Sequence, residues 1–401
     1  MFIERAMASR LQGLAGHFPA LILTGARQAG KTTLLRNCFP GHRYVTLDLP
    51  SVAEQAERDP QSFFRTNPPP LVVDEVQYAP RLFRHLKTRI DRDRDRMGRF
   101  VLAGSQNLTL MKGVSDSLAG RCAVVELENM SWQELSADRL VAGSPWVNIM
   151  SRGQFPELWR DPDIPSRDFH ASYLATYLER DVRQILNVTS LRDFERFIRV
   201  LAARSGSLLN KTEVARDVGV SVKAVGDWVS VLEASGQIVL LEPWFSNFGK
   251  RIVKTPKVYF RDSGLLCFLL GLDERSLPGS PFLGPIWESF VFAEMRKIIA
   301  SLGDSTRFWF YRDQGAREID FVLEKAGQLS FVEAKWSEHP GQDDTRTIKA
   351  VEAALLRSQG PWKPGRHTII SRTAAPFPIT EKIRAISPES IPEMIGGLTG
   401  A

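Results

Sequence analysis

From about Pro19 to Leu127 short apolar runs alternate with helical patterns, which predicts a parallel α/β sheet. The runs fall at Ala20 to Leu23, Arg43 to Asp48, Leu71 to Asp74, Phe100 to Gly104 and Ala123 to Leu127. From Trp132 to about Ile185 the pattern is mostly helical, broken by Gly153, Phe155 and Pro156. A compact helical block, Leu191 to Ser235, precedes two strands, Ile238 to Trp244 and Ile252 to Phe260. Three Pro and two Gly between Leu277 and Pro285 mark a domain boundary. Beyond it come a helix, Ile286 to Leu302, and strands at Phe308 to Arg312, Glu318 to Glu324 and Leu329 to Ala334.

Composition narrows the class. With 401 residues the chain is too long for one ordinary domain, and two to four are expected. It is 43% apolar and 24% charged, the balance of a folded globular protein. No apolar run approaches the roughly 20 residues needed to span a bilayer, and the first ten residues lack the apolar core of a signal peptide. Cys38, Cys122 and Cys267 lie far apart, so a reduced cytoplasmic chain without disulfides or structural zinc is expected. A net charge of +6 permits a nucleic-acid partner without demanding one.

The first candidate chemistry is a phosphate cradle. Gly25-Ala26-Arg27-Gln28-Ala29-Gly30-Lys31-Thr32 fits G-x-x-x-x-G-K-[ST] at every fixed position, with Thr33 next. It follows a strand and opens a helix, so backbone N–H groups and a helix N-terminus would face the phosphates of ATP. Lys31 would reach the β- and γ-phosphates, and the Thr32 hydroxyl would bind Mg²⁺. Leu71-Val72-Val73-Asp74-Glu75 supplies the complementary acids. Asp74 would hold the cation, and Glu75 would polarise the attacking water. Ser105, after the strand ending at Gly104, is placed to sense the γ-phosphate. Arg121, just before the next strand, could serve a neighbouring subunit's nucleotide; the competing reading is an ordinary surface arginine.

These residues resemble the AAA+ superfamily of P-loop ATPases, and more narrowly the prokaryotic ATPases that pair an AAA-type domain with a C-terminal "domain of unknown function 4143". The shared stretches run nearly end to end. They are GARQAGKTTLL, LVVDEVQ, VLAGSQN, LAGR, Tyr177-Leu178-Glu179-Arg180-Asp181-Val182 and Tyr259-Phe260-Arg261-Asp262-Ser263-Gly264-Leu265, with the Glu-Ile-Asp and Glu-Ala-Lys strands. The resemblance implies an AAA+ core and a homo-oligomer, for which a hexameric ring is one form. It fixes fold more firmly than biological role.

Leu191 to Asp262 reads as a winged helix-turn-helix, with Lys211 to Val218 as first helix, Gly219 as turn and Ser221 as cap of the second. Its wing, Lys250 to Arg261, holds Lys250, Arg251, Lys254, Lys257 and Arg261 without an acid, a phosphate-contacting ribbon suited to non-specific DNA binding. The competing reading is a packing module. In the C-terminal block, twelve residues separate Asp320 from Glu333-Ala334-Lys335, a spacing that resembles the restriction-endonuclease-like core. Asp320 and Glu333 could hold Mg²⁺, Lys335 could activate water, and Glu288 could complete the metal shell. Two ordinary charged strand ends, or a nuclease fold no longer catalytic, would carry the same letters.

The expected fold is therefore α/β: an AAA+ P-loop core over 1–130, a helical lid over 131–190, a winged helix-turn-helix over 191–276 and a restriction-endonuclease-like domain over 277–401. The expected activity is Mg²⁺-dependent ATP hydrolysis coupled to engagement of nucleic acid. A regulatory ATPase switch with a non-catalytic nuclease-like domain and an ATP-dependent nuclease are the alternatives.

Overall fold

The computed structural model describes residues 2–104, 117–177, 191–244, 254–313, 315–357 and 360–399. Its first sheet is parallel and five-stranded, in the order β2-β3-β4-β1-β5, with β1 Ala20–Thr24, β2 Arg43–Thr46, β3 Leu71–Asp74, β4 Phe100–Ala103 and β5 Cys122–Glu126. Strands β1, β3 and β4 are buried at every residue. That is why they read as unbroken apolar runs: helices cover both faces of a parallel sheet. Apolar clusters lie on the two sides, one built on Phe63, Phe64, Phe83 and Leu86, the other on Leu11, Leu34, Leu35 and Val101. Strand β2 ends at Thr46, two residues before the expected Asp48, whose N–H bonds to the Thr46 hydroxyl and turns the chain.

Short helices follow β5, including Trp132–Ala137, Trp146–Arg152, Pro156–Arg160 and Ser166–Tyr177. Then come Leu191–Ala202, Lys211–Val218 and Val222–Ala234. Gly219 takes the left-handed conformation that ends the helix Lys211–Val218, and the Ser221 hydroxyl accepts the N–H of Ala224 to start the next. Strands β6 Ile238–Leu241 and β7 Lys257–Phe260 pair antiparallel. The expected strand from Ile252 is shorter: β7 begins only after Pro256, which has no N–H to give a ladder, and Ile252 and Val253 lie outside the described residues.

The stretch from Leu277 to Pro285, expected to be a domain boundary, is packed and leads into a helix. Leu277 is fully buried, and the helix Leu283–Leu302 starts early enough to take Pro285 into its first turn. Proline is tolerated there because that N–H has no intrahelical partner. The proline-rich stretch therefore includes a helix start. One apolar cluster runs through this point, from Ile3 and Met150 through Phe197 and Trp287 to Ile395.

The second sheet has seven strands: β8 Arg307–Arg312, β9 Glu318–Lys325, β10 Gln328–Ala334, β11 Lys363–Pro364, β12 His367–Ile370, β13 Phe377–Pro378 and β14 Ile383–Ile386. The main path is β13-β14-β12-β10-β9-β8, with β11 beside β10. Pairing is antiparallel from β8 to β10 and parallel from β10 through β12 to β14. It brings Asp320 of β9 beside Glu333 and Ala334 of β10.

Candidate functional site

The P-loop lies at the carboxyl edge of β1, where β4 and β5 flank it on opposite sides, a strand-order switch of the kind that binds ligands in open α/β sheets. Gly25 has φ +146°, and a Cβ there would stand 2.3 Å from the Leu127 carbonyl oxygen, so only glycine fits. Gly30 is left-handed at the N-cap of the helix Lys31–Cys38. Lys31 is buried and folds back, with Nζ 2.8 Å from each of the Gly25 and Ala26 carbonyl oxygens. The Thr32 hydroxyl donates to Asp74 Oδ2 at 2.6 Å, and the Tyr44 hydroxyl donates to the same oxygen. Glu75 has φ +56°, uncommon for a residue with a side chain, and Gln77 donates to its carboxylate.

Gly30, Lys31, Thr32 and Glu75 open onto a cavity of about 580 Å³, within the range of small-molecule sites. Arg27, Gln28, Gly30, Lys31, Thr32, Thr33 and Glu75 line one side of it. Its far wall was not legible in sequence: Phe2, Ile3, Pro156, Arg160, Tyr173 and Tyr177 come from the N-terminal segment and the helices after β5. Arg5 was also missed. It is buried, donating from Nη1 to the Ala29 carbonyl at 2.7 Å, from Nη2 to the Glu128 carbonyl at 2.7 Å and from Nε to Glu134 at 3.1 Å. The sequence carries one hint, Ser131 and Glu134 at capping-box spacing, which the structure forms. Ser105 lies outside the described residues. Arg121 sits at the amino end of β5, the opposite end from the P-loop, and makes a two-pronged pair with Asp91 at 2.6 and 3.0 Å.

The basic ribbon expected over Lys250 to Arg261 needs correcting. Lys257 is 1% exposed, with Nζ 3.0 Å from Glu288 and ion-paired to Glu318. Arg261 is enclosed too, paired with Glu126 at the end of β5 and with Glu128 just beyond it. Burial disfavours charge on both, but the carboxylates outweigh it and raise both pKa values. Two of the five charges are thus consumed inside the molecule. Lys254 is exposed, and Lys250 and Arg251 lie outside the described residues.

The acids of the C-terminal sheet do converge, but on lysines. Lys335 Nζ lies 2.7 Å from Glu333, and Asp320 Oδ2 accepts the Ala334 N–H at 2.9 Å. The Tyr259 hydroxyl donates to Glu288, and Arg312 pairs with Glu318 at 2.7 Å. Burial and the Asp320 charge push the Glu288 carboxyl up to about 7 and that of Glu333 well above its ordinary range. Among the described residues no three His, Cys, Asp or Glu side chains form a cage for a metal ion. Glu288, the expected third ligand, is thus held by Lys257 and Tyr259, and Glu333 Oε1 is buried without a partner.

Three family models match: an AAA domain over residues 17–136, a domain of unknown function (DUF8612) over 144–276 and a domain of unknown function (DUF4143) over 283–390. Uncharacterized proteins of Mycobacterium tuberculosis and Mycobacterium bovis are each 31% identical over 399 residues, covering 98% of this chain and 85% of theirs. Among solved structures, a Walker-type ATPase of Pyrococcus abyssi aligns with TM-score 0.47 and 14% identity, over 67% of this chain and 96% of that one. The Thermotoga maritima RuvB Holliday junction branch migration motor aligns with TM-score 0.33 and 16% identity, over 59% and 90%.

Proposed function

The chain belongs to the family of AAA-type P-loop ATPases with a C-terminal DUF4143 domain, and from that membership we propose that its N-terminal site binds ATP with Mg²⁺ and hydrolyses it. The observation that carries this is the Thr32 hydroxyl 2.6 Å from the Asp74 carboxylate, beside Lys31 and under the P-loop. A hydroxyl and a buried carboxylate side by side are a fitting oxygen pair for Mg²⁺. When bound, the cation supplies charge neutralisation on the phosphate oxygens. P-loop N–H groups and Lys31 hold the phosphates, with Lys31 exchanging two carbonyl contacts for phosphate oxygens. Glu75 accepts the proton of the attacking water. The aromatic and apolar wall of Phe2, Ile3, Pro156, Tyr173 and Tyr177 receives the base.

Nucleotide state has a route to the rest of the chain. Arg5 grips the P-loop at Ala29 and the segment Glu128–Glu134 together. Glu128 in turn pairs with Arg261 after β7 and with Arg296 on the helix Leu283–Leu302. We read 191–276 as a winged helix-turn-helix and 277–401 as a restriction-endonuclease-like domain that binds rather than cuts. The protein is then an ATPase switch. Nucleic acid is a second reading of the partner, supported by the net charge of +6 and the exposed Lys254.

The test separates binding from turnover. Lys31→Ala should abolish tight ATP binding. Glu75→Gln should keep binding and lower the hydrolysis rate at least about 10²-fold, because an amide positions water but cannot take its proton. A Glu75→Gln enzyme turning over ATP at the wild-type rate sinks the role given to Glu75.

A further inference from the structure

We infer that the acidic cluster of the C-terminal sheet is a clamp on the β6–β7 hairpin, closed by the Lys257 ammonium, and not a divalent-metal centre. This goes beyond the ATPase reading and does not depend on it.

The end of the cluster that faces the hairpin is filled by Lys257. Lys257 arrives from β7, outside the second sheet, and its Nζ stands against carboxylates of two elements, Glu288 on the helix Leu283–Leu302 and Glu318 on β9. An ammonium has three donors and no acceptor, so a carboxylate pocket satisfies it as it would satisfy a small cation. The Tyr259 hydroxyl donates to the Glu288 oxygen that Lys257 contacts, which seats that carboxylate further. Of the remaining acids, Glu333 pairs through Oε2 with Lys335 while its Oε1 is buried without a partner, and Asp320 accepts the Ala334 N–H. Mg²⁺ requires oxygen ligands at about 2.0–2.1 Å in near-octahedral array. To draw Glu288 into its shell it would have to displace Lys257, whose side chain is 1% exposed and would be left with Glu318 alone.

The clamp also explains the basic residues of this strand. Lys257 opens β7 and Arg261 follows its end. The first is held by the acids of the C-terminal sheet, the second by Glu126 and Glu128 at the edge of the ATPase sheet. The hairpin is thus tied at one end to each sheet. A nuclease-like letter pattern has been turned to a mechanical use, in which the carboxylates hold protein.

The first experiment titrates the nucleotide-free full chain with Mn²⁺ and reads free manganese by electron paramagnetic resonance. The expected result is no stoichiometric site that survives Asp74→Asn. One Mn²⁺ per chain retained in Asp74→Asn and lost on adding Glu333→Gln overturns the inference. The second is a double-mutant cycle by denaturant unfolding with Lys257→Met and Glu288→Gln. Each single change should lower the unfolding midpoint, and the pair should lose clearly less than the sum. Strictly additive losses count against the clamp. If Lys257→Met does not fold, the manganese titration still decides, because it needs no change at Lys257.

Discussion

Glu128 is enclosed between two guanidinium groups, those of Arg261 and Arg296. Burial alone would raise its pKa, but the two arginines outweigh it and hold the carboxyl well below the ordinary range. A depressed folded pKa means the folded chain holds this proton more weakly than the unfolded chain. The stabilisation is therefore complete above the unfolded value, about 4.3, and is lost as pH falls through the folded one. Removing one partner of a buried pair costs about 3–5 kcal/mol. Glu128→Gln should accordingly melt well below wild type at pH 7, and the gap should narrow as pH drops below about 4.3. Melting temperatures from pH 7 to 3 check this. A gap of constant size would mean that Glu128 is not the charged partner of the two arginines.

The β6–β7 hairpin shows how an element's charge differs from its letters. Five basic residues stand in the stretch from Lys250 to Arg261, but Lys257 and Arg261 are neutralised by internal carboxylates. Contact with nucleic acid can then use at most Lys250, Arg251 and Lys254. Each phosphate contact contributes about 0.9 to the salt slope on duplex DNA. Replacing those three with Ala should flatten the slope by no more than about 3 and weaken binding evenly across sequences. Fluorescence anisotropy with labelled duplexes between about 50 and 200 mM salt measures both. Unchanged affinity and slope would leave the hairpin with a structural role alone. The helix pair Lys211–Val218 and Val222–Ala234, by contrast, was legible in sequence, because the turn at Gly219 and the cap at Ser221 are local chemistry.

For the whole molecule the open question is whether subunits share a catalytic site. Arg121 is at the end of β5 opposite its own P-loop, so any action on nucleotide must be on another copy's. In this chain alone it pairs with Asp91 near the end of the helix Leu82–Arg92. We propose that assembly exchanges that pair for a neighbour's γ-phosphate. A trans arginine contributes about 10³-fold or more in rate. Arg121→Ala and Lys31→Ala proteins should each be inactive, and mixing them should restore part of the activity, since some interfaces join an intact arginine to an intact P-loop. No recovery in mixtures shown to contain both variants would leave Arg121 as a surface residue.

What the sequence alone determined is the chemistry confined to contiguous segments. The P-loop, the Leu71 to Asp74 strand and the helix opening at Lys31 are each specified by neighbours along the chain: glycines for the turn, apolar runs for buried strands, a helix start for the anion site. Their mutual placement follows from parallel topology, which sets Asp74 beside Thr32. Only the tertiary structure decided what the charged residues of the later segments do. Arg261 meets Glu126 across 135 positions, and Arg5 meets Glu134 across 129. A lysine in a basic run reads the same whether it faces solvent or a carboxylate pocket. Its charge counts toward a partner only if the fold leaves it exposed, and desolvation with pairing over such separations is a property of the packed chain.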